Sequence, residues 1–530
     1  MPALVWFAMA LHIATMVVFT LIYPAYWAFD ETGHVSRVLS AQAGRVTPTP
    51  GAEPYVAAVA HSYTDHAAKD QPPFITRTPL PRVDRPSMIS LGGAQPYSPP
   101  KALPNQLAQH PPGYYLLAAG VLDIVPGSAD FSWDQTVGLL RLFDVVLLAP
   151  LPLLCWAVAR RFARPKVALA AAFAPTLIPG LERLGGSTNN DDLLILLLGV
   201  FTVLITEVLH GDRRVRTGVA IGACVAAALL VKGFALVLPA VALVGYLVMW
   251  RRTRELPWRP FLPVVVGSAV GGLWWLRNLL VYNAIQPAGL TRDQANQVWP
   301  PLPNGAHGQL ATFARKALNV FTTDFWGALG LAAPPSLPGV ITVVASVGVG
   351  VLFLIPFVSG RRCTRVVGEV NPSPGSRLTD LGVLALPSLL VLVPLLWHAW
   401  GDFHRTGQPI GIQGRYLYIG LVGLVAICAA GVELLVDRAP GLVVRSLPLL
   451  ACALAIAIEW TAVWTVFVKL WLPASASFTA SAHDLAQAIG ARAPWPGPVT
   501  IGLFAFAGCA AVAALVAAGV NAFGRREVSP

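Results

Sequence analysis

Eight ionisable side chains in or beside the apolar stretches of the sequence have residue types that could carry out chemistry. They are Asp30, Glu31, His34, His110, Lys232, Arg277, Asp324 and Arg415. Cations can hold a phosphate group, and a carboxylate can act as a general base. The set therefore favours a site that handles an amphiphile with a phosphate head. Scattered polarity at a membrane boundary is the alternative interpretation.

The two adjacent carboxylates follow directly after the first apolar run and supply the candidate catalytic base. On a helix, Asp30 and His34 would share one face, because they are four residues apart. Glu31 would point about 100° away from Asp30, so the two carboxylates cannot aim at one hydroxyl. Asp30 is favoured as the base because it comes first and its shorter side chain is easier to hold rigidly. Glu31 would then pair with a cation or accept a supporting hydrogen bond.

The remaining candidates would bind substrate. His110 precedes an apolar segment and could contact a phosphate or a hydroxyl, although a proline-capped helix start explains it equally well. Lys232 is a lone lysine at a predicted outward turn, which calls for a protein carboxylate or a lipid phosphate as its partner. The His and Asp residues show no zinc-binding spacing, which disfavours a zinc enzyme. The sequence identifies no cofactor and leaves the need for a divalent cation open.

The composition requires that most of these 530 residues lie in a membrane. Hydrophobic residues make up 55% of the chain and charged residues only 12%, whereas a soluble domain carries about 25% charged residues. The apolar residues come in blocks of about 20, the length that spans a bilayer, which predicts an all-α, polytopic membrane protein of about twelve transmembrane helices. The predicted spans are 4–24, 137–159, 166–180, 192–209, 217–231, 234–250, 261–281, 338–358, 380–398, 416–436, 446–468 and 499–520.

The net charge of +11 reflects topology. Lys and Arg cluster in connectors that all fall on one side if the spans alternate, which is the positive-inside pattern. These clusters lie at 160–166, 213–216, 251–259, 361–377, 438–445 and 525–526. The pattern predicts a multi-pass protein of a bacterial cytoplasmic membrane, with both termini in the cytoplasm, and argues against binding of nucleic acid.

The outward side then carries the unusual segments. The predicted outward loops are 25–136, 282–337, 399–415 and 469–498, and the first contains eleven prolines within 71–112. Within it, Gly113–Val125 is apolar but too short to span, which predicts a re-entrant or interfacial helix. The predicted division is a transmembrane domain over 1–436 and C-terminal transmembrane helices over 437–530.

An ordered set of motifs extends over about 25–420. The motifs are Asp30-Glu31-Thr-Gly-His34, His110-Pro-Pro-Gly-Tyr-Tyr115, Asn189-Asn190-Asp191, Lys232-Gly233, Trp275-Leu-Arg277-Asn278, Phe325-Trp326-Gly327 and Gln413-Gly-Arg415-Tyr416. This set resembles the GT-C superfamily of membrane glycosyltransferases, and most closely the bacterial membrane family called domain of unknown function 2142. One departure is Tyr282-Asn283-Ala284, where that family usually continues as Tyr-Gly-Asp.

The resemblance implies an inverting transferase that moves a sugar from a polyprenyl-phosphate donor to a cell-envelope glycan or lipid acceptor on the outer membrane face. Its base would be Asp30 or Glu31, and donor contacts would come from Lys232, Arg277 and Arg415, with His110 assisting. The absence of a nucleotide-binding glycine loop agrees with a lipid-linked donor. A transporter or lipid flippase is the first alternative, because twelve spans with both termini inside are common among transporters. An assembly protein without turnover is the second.

Overall fold

The regular structure is almost entirely α-helical, as the sequence predicts. The computed structural model describes residues 1–100, 102–303, 309–329, 336–359, 374–473 and 478–524. Of the predicted basic clusters, 525–526 and the part of 361–377 before residue 374 lie outside these residues. The helices of the first half are α1 (Ala3–Ile22), α2 (Glu31–Gln42), α3 (Ala57–His61), α4 (Gly113–Ile124), α5 (Trp133–Leu148), α6 (Leu151–Ala159), α7 (Pro165–Ala171), α8 (Pro179–Gly185), α9 (Asn190–Leu209) and α10 (Val215–Leu229).

The second half continues with longer helices. They are α11 (Leu238–Thr253), α12 (Trp258–Tyr282), α13 (Arg292–Val298), α14 (Leu310–Gly327), α15 (Gly339–Val358), α16 (Pro374–Thr406), α17 (Leu421–Leu435), α18 (Gly441–Val466), α19 (Phe478–Arg492) and α20 (Gly497–Phe523). Two short strands, β1 (Tyr55–Val56) and β2 (Pro96–Tyr97), pair antiparallel within the predicted first outward loop.

Ten helical segments of the described chain are long and apolar enough to cross a membrane. They are Ala3–Ile22, Trp133–Ala159, Asn190–Leu209, Gly233–Thr253, Trp258–Tyr282, Gly339–Val358, Arg377–Thr406, Gly414–Leu435, Gly441–Trp471 and Gly497–Phe523. The polytopic, all-α class predicted from the sequence is therefore confirmed, with about ten such helices.

Two of the twelve predicted spans have a different form. The segment predicted as 166–180 breaks into α7, a 3₁₀ turn and α8, each of which has a proline in its first turn. Proline fits a helix start but not its interior, so the three prolines here divide the segment into short pieces. The segment predicted as 217–231 forms α10, which is apolar but only 15 residues long.

Close helix contacts hold the bundle together. α10 packs along α12, and glycines line the contact: a β-carbon at Gly222 or Gly267 would overlap the facing backbone. Small residues allow such close backbone approach between membrane helices. The first helix, α1, packs against α20, where Ala514 and Ala518 are fully buried.

The predicted first outward loop is an ordered layer that positions the candidate site. The apolar segment predicted to be too short to span forms α4, which packs against α2. The Asn105 amide donates to the Gly33 carbonyl at 2.9 Å. A β-carbon at Gly33 would overlap the end of the Leu107 side chain, so glycine leaves room for this close contact. The layer thereby fixes α2 and the acidic residues at its start.

Candidate active site

Asp30 is the N-cap residue of α2 and has a left-handed backbone with φ of 59°. A non-glycine residue rarely adopts this conformation, and such strain persists where surrounding contacts enforce it. Its Oδ2 accepts a hydrogen bond from Nη2 of Arg415 at 3.2 Å, and its Oδ1 accepts from Nε2 of Gln106 at 3.4 Å. The side chain remains 33% exposed. Asp30 is thus a held carboxylate that a substrate can still reach.

Glu31 is fully buried and saturated with donors. Both its oxygens pair with Arg141, whose Nε and Nη2 each donate at 2.7 Å. The backbone N–H groups of Tyr26 and Thr188 donate to the same carboxylate at 2.7 and 3.2 Å. Glu31 therefore fixes the turn between α1 and α2, and its lone pairs are occupied by protein.

Arg415 is the second residue of the 3₁₀ helix Gly414–Gly420. It contacts Asp30, which is 385 residues away in the sequence. Its Nε donates to Oε1 of Gln413 at 2.6 Å. Its Nη1 is buried and has no hydrogen-bond partner among the described residues. An unsatisfied buried donor costs about 1–3 kcal/mol. This guanidinium is consequently ready to bind an oxygen that the protein does not supply.

The sequence analysis predicted a protein carboxylate or a lipid phosphate as the partner of Lys232, and the structure provides a carboxylate. Its Nζ donates to Oδ1 of Asp191 at 2.6 Å, and both side chains are nearly buried. Asp191 lies in the first turn of α9, where the Asn189 side chain accepts its N–H as the helix cap. The ammonium group also lies over the rings of Phe234 and Tyr416, at 5.2 and 5.3 Å.

The two candidate histidines are buried beside these charges. The hydroxyl of Tyr115 lies 3.2 Å from Nδ1 of His34, and their rings stack. Burial, and next the charge of Lys232, lower the pKa of His34 to about 3. The same two causes, in the same order, hold the pKa of His110 well below its usual value. Both imidazoles are therefore neutral near pH 7.

Asp324 on α14 faces two cations. Burial raises its pKa to about 6, and the charges of Arg415 and Arg183 act in the opposite direction. The Arg183 guanidinium lies over the ring of Phe29 at 4.6 Å, and its Nε and Nη1 are buried with no hydrogen-bond partner among the residues that the structure describes. Sequence analysis missed Arg183, although the charged pair Glu182-Arg183 within an apolar stretch is a signal for a functional site.

The structure thus brings most of the predicted set into one neighbourhood. Asp30 and Arg415 touch directly, and Lys232 acts on both histidines. Arg277 differs from these residues. Its Nη1 donates to the Asn278 side chain at 3.1 Å, and its guanidinium lies over two aromatic rings. Within the described part of the chain, no contact joins it to the others.

Comparison with known proteins gives one match to a family model. Residues 109–275 match the model described as dolichyl-phosphate-mannose-protein mannosyltransferase. This match covers less than a third of the chain, so the resemblance to the GT-C superfamily stays a prediction. The narrower resemblance to domain of unknown function 2142 stays a prediction. No curated protein matches the sequence.

Solved structures that are similar to this chain share only low identity with it. ArnT from Cupriavidus metallidurans, bound to undecaprenyl phosphate, is 14% identical, with a TM-score of 0.43 over 99% of this chain and 79% of its own. The oligosaccharyltransferase of Archaeoglobus fulgidus in its apo form is 12% identical, with a TM-score of 0.36. That match covers 92% of this chain and 56% of the archaeal one.

An apolar groove of about 450 Å³ adjoins the charged cluster. It lies between α14, α15, α16 and α17. Phe325, next to Asp324, and Leu417, two residues after Arg415, line it. Over the described ranges, no three His, Cys, Asp or Glu side chains are grouped as ligands for a metal ion.

Proposed function

We propose that the protein transfers a sugar from a polyprenyl-phosphate-linked donor to a cell-envelope glycan or lipid acceptor, with inversion, on the outer membrane face. One observation carries this proposal: the accessible carboxylate of Asp30 is held by Arg415, whose Nη1 is buried without a partner. A carboxylate that can act as a base therefore lies beside an unpaired N–H group that can bind a phosphate oxygen. The transfer of a sugar from a phosphate requires both groups.

In the proposed reaction, Asp30 removes the proton from an acceptor hydroxyl, whose oxygen then attacks the anomeric carbon. The bond between that carbon and the phosphate oxygen breaks, and polyprenyl phosphate leaves with the electron pair. Preorganised cations stabilise the charge that develops on the leaving group. Arg415 supplies an unpaired N–H, and Lys232 supplies an ammonium group that is already fixed by Asp191.

The supporting residues have distinct roles in this proposal. Glu31 positions Asp30, because its own oxygens are occupied by Arg141 and two backbone N–H groups. His34 and His110 are both neutral, so they can form hydrogen bonds with sugar hydroxyls and do not repel the nearby Lys232. The isoprenoid chain would lie in the apolar groove beside Phe325, which continues from the charged cluster.

A transfer assay in proteoliposomes tests the proposal. Purified protein is mixed with radiolabelled polyprenyl-phosphate sugars, with a nucleotide sugar as the comparison donor and a cell-envelope extract as acceptor. We expect label to pass to the acceptor from at least one polyprenyl donor and not from the nucleotide sugar. Transfer from the nucleotide sugar alone would refute the donor class. Movement of the labelled lipid between leaflets without transfer would favour the flippase alternative.

A further inference from the structure

A second cavity, of about 650 Å³, lies away from the charged cluster. Pro24 and Ala25, the segment between residues 65 and 85, the start of α5 and Arg492 line it. Apart from Pro24, which ends the first predicted span, the sequence analysis placed these segments in the first and fourth outward loops. The cavity volume lies within the range of about 300–1,000 Å³ that is typical of small-molecule sites.

Buried ion pairs make the walls of this cavity rigid. Arg492 donates from Nε and Nη2 to the two oxygens of Asp70, at 2.6 and 2.8 Å. Arg85 pairs with Asp134, and both side chains are only 4% exposed. Because each of these cations is matched by a carboxylate, the walls hold their shape without a ligand.

Two further cations at the cavity remain free to bind. Lys69 and Arg77 line it, both are exposed, and neither side chain has a hydrogen bond or an ion pair among the described residues. The backbone carbonyl of Arg77 accepts from Arg492 at 2.9 Å, so the loop is fixed while its guanidinium is not. The third carboxylate of the lining, Asp65, pairs with His61 at 3.3 Å. The cavity therefore presents excess positive charge.

An aromatic wall adds a polar donor. Trp133 stacks on His66, with ring centroids 6.0 Å apart, and on Tyr26, at 5.8 Å. Its Nε1–H is buried and meets no acceptor in the part of the chain that the structure describes. A buried indole N–H normally finds a partner, so this group indicates an oxygen-bearing ligand.

Residues that line or adjoin the cavity also contact the side chains that hold the segment before Asp30, the proposed base. The carbonyl of Pro24 accepts from Nη2 of Arg141 at 3.0 Å, and the same nitrogen donates to Glu31. Tyr26 stacks on the cavity tryptophan and gives its backbone N–H to Glu31. A ligand bound in the cavity would thus lie next to the short segment that ends at Asp30.

We propose that this cavity binds the glycan of the acceptor and that this glycan is acidic, carrying a carboxylate or a phosphate on its sugars. The inference rests on the proposed glycosyl transfer, which it extends by naming the acceptor class. The free cations of Lys69 and Arg77 hold the anionic group, and the unpaired indole N–H of Trp133 holds a sugar oxygen.

Binding without donor tests this inference independently of turnover. Full-length protein in nanodiscs is titrated with trigalacturonate, with the neutral trisaccharide maltotriose and with inorganic phosphate. We expect trigalacturonate to bind at least about tenfold more tightly than either comparison ligand, and raising salt from about 0.05 to 0.5 M to weaken it severalfold. Lys69→Gln and Arg77→Gln should each weaken trigalacturonate binding by about three- to tenfold. The exposed Arg292 on α13 provides the control variant Arg292→Gln, which should bind as the wild type does.

Equal binding of the acidic and neutral trisaccharides would overturn the proposal, as would binding that both cation variants leave unchanged. Phosphate binding as tight as that of trigalacturonate would indicate an anion site without glycan recognition, which also overturns it. Asp30→Asn should retain full trigalacturonate affinity. If the wild-type protein binds trigalacturonate while no donor supports transfer by it, the cavity proposal stands and the proposed function fails. If a polyprenyl donor supports transfer while trigalacturonate does not bind, the cavity proposal alone is refuted.

Discussion

Replacement of Arg415 by alanine is the perturbation whose effect follows most directly from the geometry. The guanidinium contacts Gln413 through Nε and Asp30 through Nη2, and Nη1 has no partner. If Nη1 binds the donor phosphate, alanine removes one charge-assisted hydrogen bond, worth about 1.5–3 kcal/mol. At about 1.4 kcal/mol for each factor of ten, kcat/KM for the donor should fall by about ten- to 150-fold.

The lysine variant separates charge from shape. Arg415→Lys keeps the positive charge but cannot reach Gln413, Asp30 and a phosphate oxygen at once, because it lacks the planar fork. It should restore only part of the lost kcat/KM. The assay measures initial transfer rates across donor concentrations in proteoliposomes, with Arg292→Ala as the control and a thermal melt to verify folding. Wild-type donor kinetics in a folded Arg415→Ala protein would refute the assignment and leave Arg415 as a structural partner of Asp30.

Three further predictions concern the neighbouring groups and the orientation. Glu31→Gln leaves Arg141 buried without its counterion, so it should lower the free energy of unfolding by about 3–5 kcal/mol, seen as an earlier thermal melt. An unchanged melting temperature would refute the role of Glu31 in fixing the turn between α1 and α2. The raised pKa of Asp324 leaves its carboxyl neutral below about pH 6 and charged above it. KM for the anionic donor should therefore rise severalfold as pH increases through 6, and Asp324→Asn should abolish that rise; an identical profile in the variant would exclude this group. Single cysteines near residues 60 and 406 should react with an impermeant thiol reagent from outside, whereas one near 213 should not; the reverse pattern would place the site in the cytoplasm.

The sequence was sufficient for the fold class and for most of the charged cluster. It missed Arg183 and included Arg277, which no contact joins to the others among the described residues. Apolar block lengths predicted a polytopic helical protein, which is confirmed. The ordered motifs predicted a GT-C glycosyltransferase, which stays a prediction. The contact between Asp30 and Arg415 joins the first and last of these motifs. The span predicted as 166–180 was harder to predict, because hydropathy does not register how prolines at 165, 175 and 179 divide an apolar segment.

The roles within the cluster needed the structure. Asp30 and Glu31 are chemically similar neighbours, and only the left-handed backbone at Asp30 separates an accessible carboxylate from a buried one. The partner of Glu31 is Arg141, which lies in a predicted span where nothing marks it as its counterion. Asp191 could be interpreted as an ordinary residue of a helix start until Lys232 was found 2.6 Å from its carboxylate. Such pairings depend on long-range packing that local patterns do not encode.

The most direct test of the account is the turnover of Asp30→Asn with donor binding measured in parallel. Asparagine is nearly the same shape and tolerates the left-handed backbone at this position, so the fold should be preserved. It cannot accept the proton, so kcat should fall by about 10²–10⁴-fold, the usual contribution of a general base. The dissociation constant of the polyprenyl-phosphate donor should stay near its wild-type value, because the proposed phosphate contacts come from Arg415 and Lys232. Wild-type turnover by Asp30→Asn would contradict the central claim that this carboxylate is the base.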